Sequence, residues 1–528
     1  MSEILAARLD LELAWRRVKH DIAKDRVFIR HPYLIDLIEV NLNEWLEQLR
    51  EKVAKGEFQP SALRVCDVPK PKGAVRPGGD LELADQVIYC ALVADAREQI
   101  QTALRWGNPL TDFSYRLRAD HHEVPWFEDW FPNQTALANY SIKCIEDGCS
   151  HVVVADIAGY YEQVDLTTLR SDLNYLGINK ETVSLLLKCL HRWAHVSNRG
   201  LPQGLSASDI LGKLYLNSVD TTLAGAGFRH CRWVDDYRIF CRSNTEARKA
   251  LLLLIQTLRR RGLVIQTAKT KILDANEATR QFQEVRLIID GVNGDFMQKL
   301  REVDDLNTLS LTMAQLDNIL PELESDAPPV EVLVEAYRKY FIEAQNNFNK
   351  SLFRFLLRRL GSARNQCALE HALSVLQEHP EETGAILSYT AALGEIAKAD
   401  AAIVEHLRDE AAIYPYQAYQ MLKWRRSQKA RPAEPLLRKI REFSLRDNVV
   451  SFLRAEARAA LGQWGLPADL EAMMHGYANA NGDIEQAEII CAIAQMETGL
   501  RNGFLGRVAD DSDLCSRAVR LVKTRGVC

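Results

Sequence analysis

The feature that most constrains this chain is a short apolar run that ends in an acid. HVVVADI, residues 151–157, is β-branched and compact enough to form a buried strand, and Asp156 closes it. A second segment, HCRWVDDYRIFC at 230–241, reads as two strands pinched around Asp235 and Asp236, 79 residues after Asp156. A carboxylate at the end of an apolar strand is costly unless it is paired or bound to a metal. Each acid alone has a plainer reading, since an Asp after a strand is commonly a turn or helix cap. The DD pair alone could be a solvated hairpin tip. Three acids on two such segments together point to a metal site.

The surrounding pattern sets the architecture. Residues 1 to about 60 read as helical, with Leu34, Leu37, Ile38, Leu42, Trp45, Leu46 and Leu49 at helical spacing. VPKPKGAVRPGG (68–79) must be loop or hairpin, and LELADQVIYCALV (81–93) returns to a helical period. Residues 106–135 are rich in aromatics and Pro without a clean period, so an irregular insertion is expected there. Helices are expected over 166–178, 209–227 and 245–262, the last with a glycine stop. This order suits an α+β domain with helices on one face of an antiparallel sheet. From about residue 300 the chain turns helical almost throughout, with brief Pro, Gly or Asp turns. Such helices form either a helical-repeat (HEAT-like) stack or a bundle, and their spacing leaves both open. With 528 residues the chain exceeds one core, and the division expected is 1–298 and 299–528.

Charge narrows the choice of partner. Residues 1–300 hold 39 Lys and Arg against 39 Asp and Glu, and the remainder 27 against 32. A protein that grips a long duplex normally carries a basic excess. Nucleic-acid contacts here are therefore few and enclosed, or confined to a local basic channel. Eleven cysteines scattered singly read as reduced thiols, Cys144 and Cys149 lacking a second pair at zinc spacing. The acidic N-terminus carries no secretory signal, and no segment has the roughly 18 uncharged apolar residues of a membrane span. A cytoplasmic location is expected.

Acids converging from rigid strands are what phosphoryl transfer to a growing strand requires. They hold two divalent ions about 4 Å apart, one for the attacking hydroxyl and one for the departing pyrophosphate. In order and wording the chain resembles the fingers and palm of reverse transcriptases over roughly 60–295. DIAGYYEQVD (156–165) looks like the first metal-binding motif, with Asp156 and the Ile157 backbone carbonyl as ligands. Tyr161 falls on the aromatic position that excludes a ribose 2′-hydroxyl. GLPQGLSAS (200–208) is similar to the motif whose Gln203 and Gly204 line the nucleotide. WVDD (233–236) resembles the paired-aspartate motif, with Trp233 and Val234 where an aromatic and Ala are common. GLVIQTAKTKI (262–272) puts Lys269 where a lysine is held to protonate pyrophosphate. VPKPKGAVRP (68–77) resembles the fingers segment, making Lys70, Lys72 and Arg76 candidates for the triphosphate.

Within that superfamily, GLPQGLSASDILGKLYL and the helical C-terminal part look most like bacterial abortive-infection polymerases and related defence-associated reverse transcriptases. The resemblance implies a DNA polymerase of antiviral (phage) defence using two Mg2+ ions, or Mn2+, with dNTPs and single-stranded nucleic acid as partners. It further implies untemplated, protein-primed synthesis by a homo-oligomer, a trimer or hexamer. Tyr337, Tyr340, Tyr389, Tyr414, Tyr416, Tyr419 and Tyr477 are all conceivable primers. For YPYQAYQMLKWRRSQKARP (414–432), a wall for a single strand competes with plain amphipathic packing. Two other functions stay open: a templated enzyme copying a bound noncoding RNA, and a silent RNA-binding scaffold.

Overall fold

Apolar stripes at helical spacing fold the N-terminal part into four helices, Ser2–Arg8, Leu11–Ala23, Leu34–Glu39 and Leu42–Ala54. The structure, a computed structural model, describes residues 2–106, 111–289, 329–343, 348–408, 413–446 and 448–524. Residues 68–79 form a hairpin, β1 (Arg64–Pro69) against β2 (Val75–Asp80), with Val68 opposite Arg76. Lys72 (φ 65°) and Gly73 (φ 72°) turn the chain at its tip. A two-stranded ribbon tolerates Pro69 and Pro77 because it has outward edges.

The central sheet is antiparallel, in the order β4-β5-β3-β6. Its strands are β3 (His151–Ala155), β4 (Arg229–Trp233), β5 (Asp236–Cys241) and β6 (Lys271–Asp274). Helices cover both faces, where the sequence led us to expect one. Val153, Ala155 and Ile239 join the main core, while Val152 and Phe240 enter a second cluster with Phe113, Leu137 and Phe282. Two-sided burial accounts for β3 reading as a continuous apolar run rather than an alternating one. The expected insertion is irregular over 111–129, but the helix Trp130–Glu146 begins inside its span.

Among the described residues the C-terminal part is all helical, and the structure selects the stack over the bundle. Helices Lys350–Ser362, Thr383–Leu393, Pro415–Ser427, Ser451–Trp464, Asp483–Ala492 and Asp513–Thr524 pack each on the next in one row. Leu369–Ser374, Ile396–His406, Glu434–Leu445 and Pro467–His475 form a second row behind them. Packing between alternate helices is the signature of repeated helix pairs. The expected boundary at 298/299 lies outside the described residues.

The stack shares its core with the N-terminal part: one hydrophobic cluster runs from Leu5 to Val522. Pro415–Ser427 lies on β1. The Tyr419 hydroxyl donates to the Arg30 carbonyl at 3.1 Å. His31 sits between Asp80 (3.3 Å) and Glu488 (3.4 Å), all nearly excluded from water. Burial opposes its charge, but those two carboxylates push His31 up to about 10. The aromatic segment 414–432 is therefore core packing in large part, with Tyr416 and Tyr419 buried. The described cysteines are free thiols, buried except Cys367. No helix among the described residues is long and apolar enough to cross a membrane.

Candidate active site

β4 and β5 are joined by a two-residue turn, with Trp233 paired to Asp236. Val234 takes φ 56° at its first central position, a geometry that favours Gly. Two neighbours hold it there: Ser114 Oγ accepts from the Val234 N–H (3.0 Å), and Arg232 Nη1 donates to its carbonyl (2.9 Å). Arg232 is buried and pairs with Asp112 (2.8 Å) and Asp220 (2.9 Å). Lys213 shares Asp112 at 2.9 Å. Two cations and two anions thus form a closed, water-poor base beneath the turn that carries Asp235.

Register brings the acids together. Ala155 pairs with Tyr237, so Asp156 lies one step further on, across from Asp236. Facing residues in such a ladder stand about 4.5–5.5 Å apart. Asp156 is buried, Asp235 half-buried, and Asp236 reaches the solvent of the cleft. Burial, then the charges of Asp236 and Asp156, push Asp235 up to about 7. Burial and Asp156 push Asp236 up to about 6 against the pull of Lys269 and Arg238. Lys269 lies in the turn before β6, not within the strand, and its ammonium donates to Asp156 Oδ2 at 2.6 Å. Ile157 bridges Ile265 through its neighbours: Gln266 N–H donates to the Asp156 carbonyl and Ala158 N–H to that of Val264. That pattern leaves the Ile157 carbonyl turned away from residue 265.

Three carboxylates that repel one another, with one lysine between them, fit a hard divalent cation. Among the described residues no group of three or more His, Cys, Asp or Glu side chains could hold a metal ion by itself. A bound ion would thus need oxygens beyond these side chains, such as those of water or phosphate, as small hard ions prefer.

The β1–β2 hairpin reaches over these acids. Lys70 is half-buried, and burial and Arg76 lower its pKa, with Lys269 adding to this and Glu162 and Asp235 opposing. Arg76 is exposed, and Lys72 projects from the tip. Gln203 donates to Glu162 Oε1 at 3.2 Å, and its carbonyl accepts from Gly79 N–H at 3.1 Å. Gly204 has φ +90°, and a Cβ there would lie 2.7 Å from the Phe28 ring. Gly78 of the hairpin meets the same ring at 2.7 Å. Phe28 therefore wedges hairpin and turn together, and Tyr416 packs edge-on against it at 6.3 Å. Tyr161 is half-buried, its hydroxyl donating to Asp209.

Sequence reasoning missed Arg26, Phe28, Ser114, Asp209 and Arg232. Asp209, a lone acid in SASDIL, and Arg232, an arginine inside the apolar HCRWV run, carried a local signal, and the other three carried none. Of the conceivable primers, the hydroxyls of Tyr337, Tyr389, Tyr419 and Tyr477 bond His371, Asn365, Arg30 and Asp511, and Tyr416 is buried.

Residues 68–288 match the family model described as reverse transcriptase (RNA-dependent DNA polymerase). The chain carries a reverse transcriptase domain. Protein YkfC of Escherichia coli strain K12 is 24% identical to it over 197 residues, 35% of this chain and 47% of that protein. The chain thus spans about half the length of the curated relative it matches. Similar solved structures are telomerases of Candida. Apo telomerase from Candida tropicalis is 11% identical, covering 91% of this chain and 74% of that one, with a TM-score of 0.31. Candida albicans telomerase with a fragment of telomeric RNA is 10% identical, covering 70% and 66%, with a TM-score of 0.32. The reverse transcriptase domain contains every expected site residue, Lys70 through Lys269.

Proposed function

We propose that the chain is a metal-dependent DNA polymerase of the reverse transcriptase type, and that two Mg2+ ions, or Mn2+, bind at Asp156, Asp235 and the Ile157 carbonyl. Asp236 orients that cluster. When bound, the ions would neutralise phosphate charge at the point of transfer. Lys70 and Arg76, with Lys72 from the tip, hold the triphosphate of a dNTP. Lys269, beside Asp156, is the proton source for the departing pyrophosphate. The observation that carries this reading is the convergence of three mutually repelling carboxylates under a basic hairpin. A silent scaffold gains nothing from keeping them together.

A narrower reading assigns the enzyme to antiviral defence, working untemplated from a protein primer as a cytoplasmic homo-oligomer. Its support is the joining of the palm motifs to a stack of helix pairs docked on the fingers hairpin. Copying of a bound noncoding RNA is the competing mode. Purified protein incubated with labelled dNTPs and Mg2+, with and without added template, tests both. Incorporation in neither case sinks the polymerase. Product that protease treatment releases supports protein priming, and loss of synthesis after RNase supports a template. A phage plaque assay comparing wild type with Asp235→Ala tests the defence role.

A further inference from the structure

Tyr161 is anchored by more than packing. Its hydroxyl donates to Asp209 Oδ1 at 2.7 Å, and Arg26 Nη2 donates to Asp209 Oδ2, also at 2.7 Å. Each carboxylate oxygen thus holds one partner. Arg26 is itself confined, its guanidinium 5.0 Å from the Phe127 ring and 5.5 Å from that of Tyr115. Gly212 lies against both the Tyr160 and Tyr161 rings, where a Cβ would sit in van der Waals contact, 3.4 Å from each. The Tyr161 ring therefore rests on small backbone behind, and its tip is fixed by a charged bond. Nothing in helix formation requires this link: Asp209 lies in the first turn of Ser206–Gly225, where an acid is favourable without a tyrosine partner.

We propose that Asp209, held by Arg26, is a positioning residue that fixes the Tyr161 ring and thereby sets the choice between 2′-deoxyribonucleotides and ribonucleotides. This rests on the reading of Tyr161 as the neighbour of the nucleotide sugar. A ring excludes one added hydroxyl only while it cannot swing aside. Packing restricts a phenol to a few rotamers, and the bond to Asp209 selects one of them. The relay joins three distant segments: the loop between Leu11–Ala23 and Leu34–Glu39 at Arg26, the short helix Tyr160–Gln163 after β3 at Tyr161, and the helix Ser206–Gly225 at Asp209. Sugar selection is thereby tied to the packing of residues far from the acids.

The test compares wild type, Tyr161→Phe, Asp209→Ala and Asp209→Asn for incorporation of dATP against ATP. Equilibrium binding of the same two nucleotides is measured in parallel by competition with a fluorescent dATP. Tyr161→Phe keeps the ring and the Asp209–Arg26 pair and removes only the tether. It should lower the dATP-to-ATP ratio roughly tenfold, the scale of one lost charge-assisted hydrogen bond. Asp209→Ala should lower the ratio at least as far, while Asp209→Asn, which still offers an acceptor, should retain most of it. A ratio within about twofold of wild type in Tyr161→Phe overturns the relay, even where Asp209→Ala fails to fold. A wild type that binds dATP selectively without incorporating it refutes the polymerase and leaves the relay to be judged on binding. A wild type showing no sugar preference in either assay overturns the relay.

Discussion

The contact of Phe28 with Gly204 can be measured directly. A Cβ on Gly204 would lie 2.7 Å from the ring, on a backbone at φ +90°. Gly204→Ala therefore carries two separable penalties. The left-handed backbone costs an alanine roughly 1–2 kcal/mol, and forcing the methyl against the ring adds about 1–3 kcal/mol. The sum, about 2–5 kcal/mol, is a large share of the ~5–15 kcal/mol that holds a typical protein folded. Phe28→Ala alone should cost about 3 kcal/mol, the low end for a phenylalanine, because the ring is half-buried. In that background the methyl added at position 204 no longer meets the ring, though the Arg26 carbonyl at 3.4 Å stays. The double-mutant cycle should then show a favourable coupling of about 1–3 kcal/mol. Urea unfolding followed by tryptophan fluorescence supplies all four corners. An equal penalty for Gly204→Ala in both backgrounds would refute the wedge. Gly78→Ala is the control: its Cβ meets Cys66 Sγ as well as Phe28, each at 2.7 Å, so Phe28→Ala should relieve it only in part.

Three further outcomes are expected. Asp235 and Asp236 ionise at about 7 and 6 in the folded chain, against an ordinary value of 3.8, so the folded state keeps protons the unfolded state has lost. Their contribution to stability is therefore fully present below the ordinary 3.8 and is lost as pH rises from there to the folded values of about 6 and 7, beyond which it levels off. In metal-free buffer at pH 8, Asp235→Asn should raise Tm, and in a separate assay with Mg2+ it should lower nucleotide incorporation by roughly a hundredfold or more; an unchanged Tm profile between pH 5 and 8 would contradict the repulsion. Asp220→Ala leaves buried Arg232 and Lys213 with one shared acid, Asp112, and should cost roughly 3–5 kcal/mol by chemical denaturation, where a surface pair would cost under about 1 kcal/mol. His31, raised to about 10 by Asp80 and Glu488, contributes stability that is complete below its ordinary 6.5 and fades as pH climbs through 10. His31→Gln should flatten the alkaline limb of the Tm profile.

Local chemistry made part of this molecule legible. HVVVADI and WVDD marked strand ends because a β-branched run stays buried only until an acid stops it, and VPKPKGAVRPGG marked a hairpin because its prolines and glycines suit neither helix nor inner strand. The helical tail was legible as helices, but the choice of stack over bundle depends on which faces meet across about thirty residues. Phe28, Arg26 and Ser114 escaped notice for the same reason: each acts at a partner at least 100 residues away, on Gly204, Asp209 and Val234 respectively. Arg232 could have been suspected, since an arginine inside an apolar strand demands acids, yet nothing in the sequence says that Asp112 and Asp220 are the ones. Two-sided cover of the sheet was misjudged because the covering helices, Trp130–Glu146 and Ala275–Ile289, lie outside the run of motifs.

The shared core has a consequence for synthesis in the cell. The Leu34–Glu39 helix packs on Asp513–Thr524, and Arg517 donates to the Asn41 carbonyl at 3.0 Å. The 34–39 segment of the nascent polypeptide therefore waits for residues 513–524 before its apolar surface is covered. Translation at about 5–20 residues per second makes that wait tens of seconds. Until Tyr416 and Glu488 have been made, Phe28 and His31 lack their later neighbours, so nucleotide handling should mature only after residue 488 has emerged.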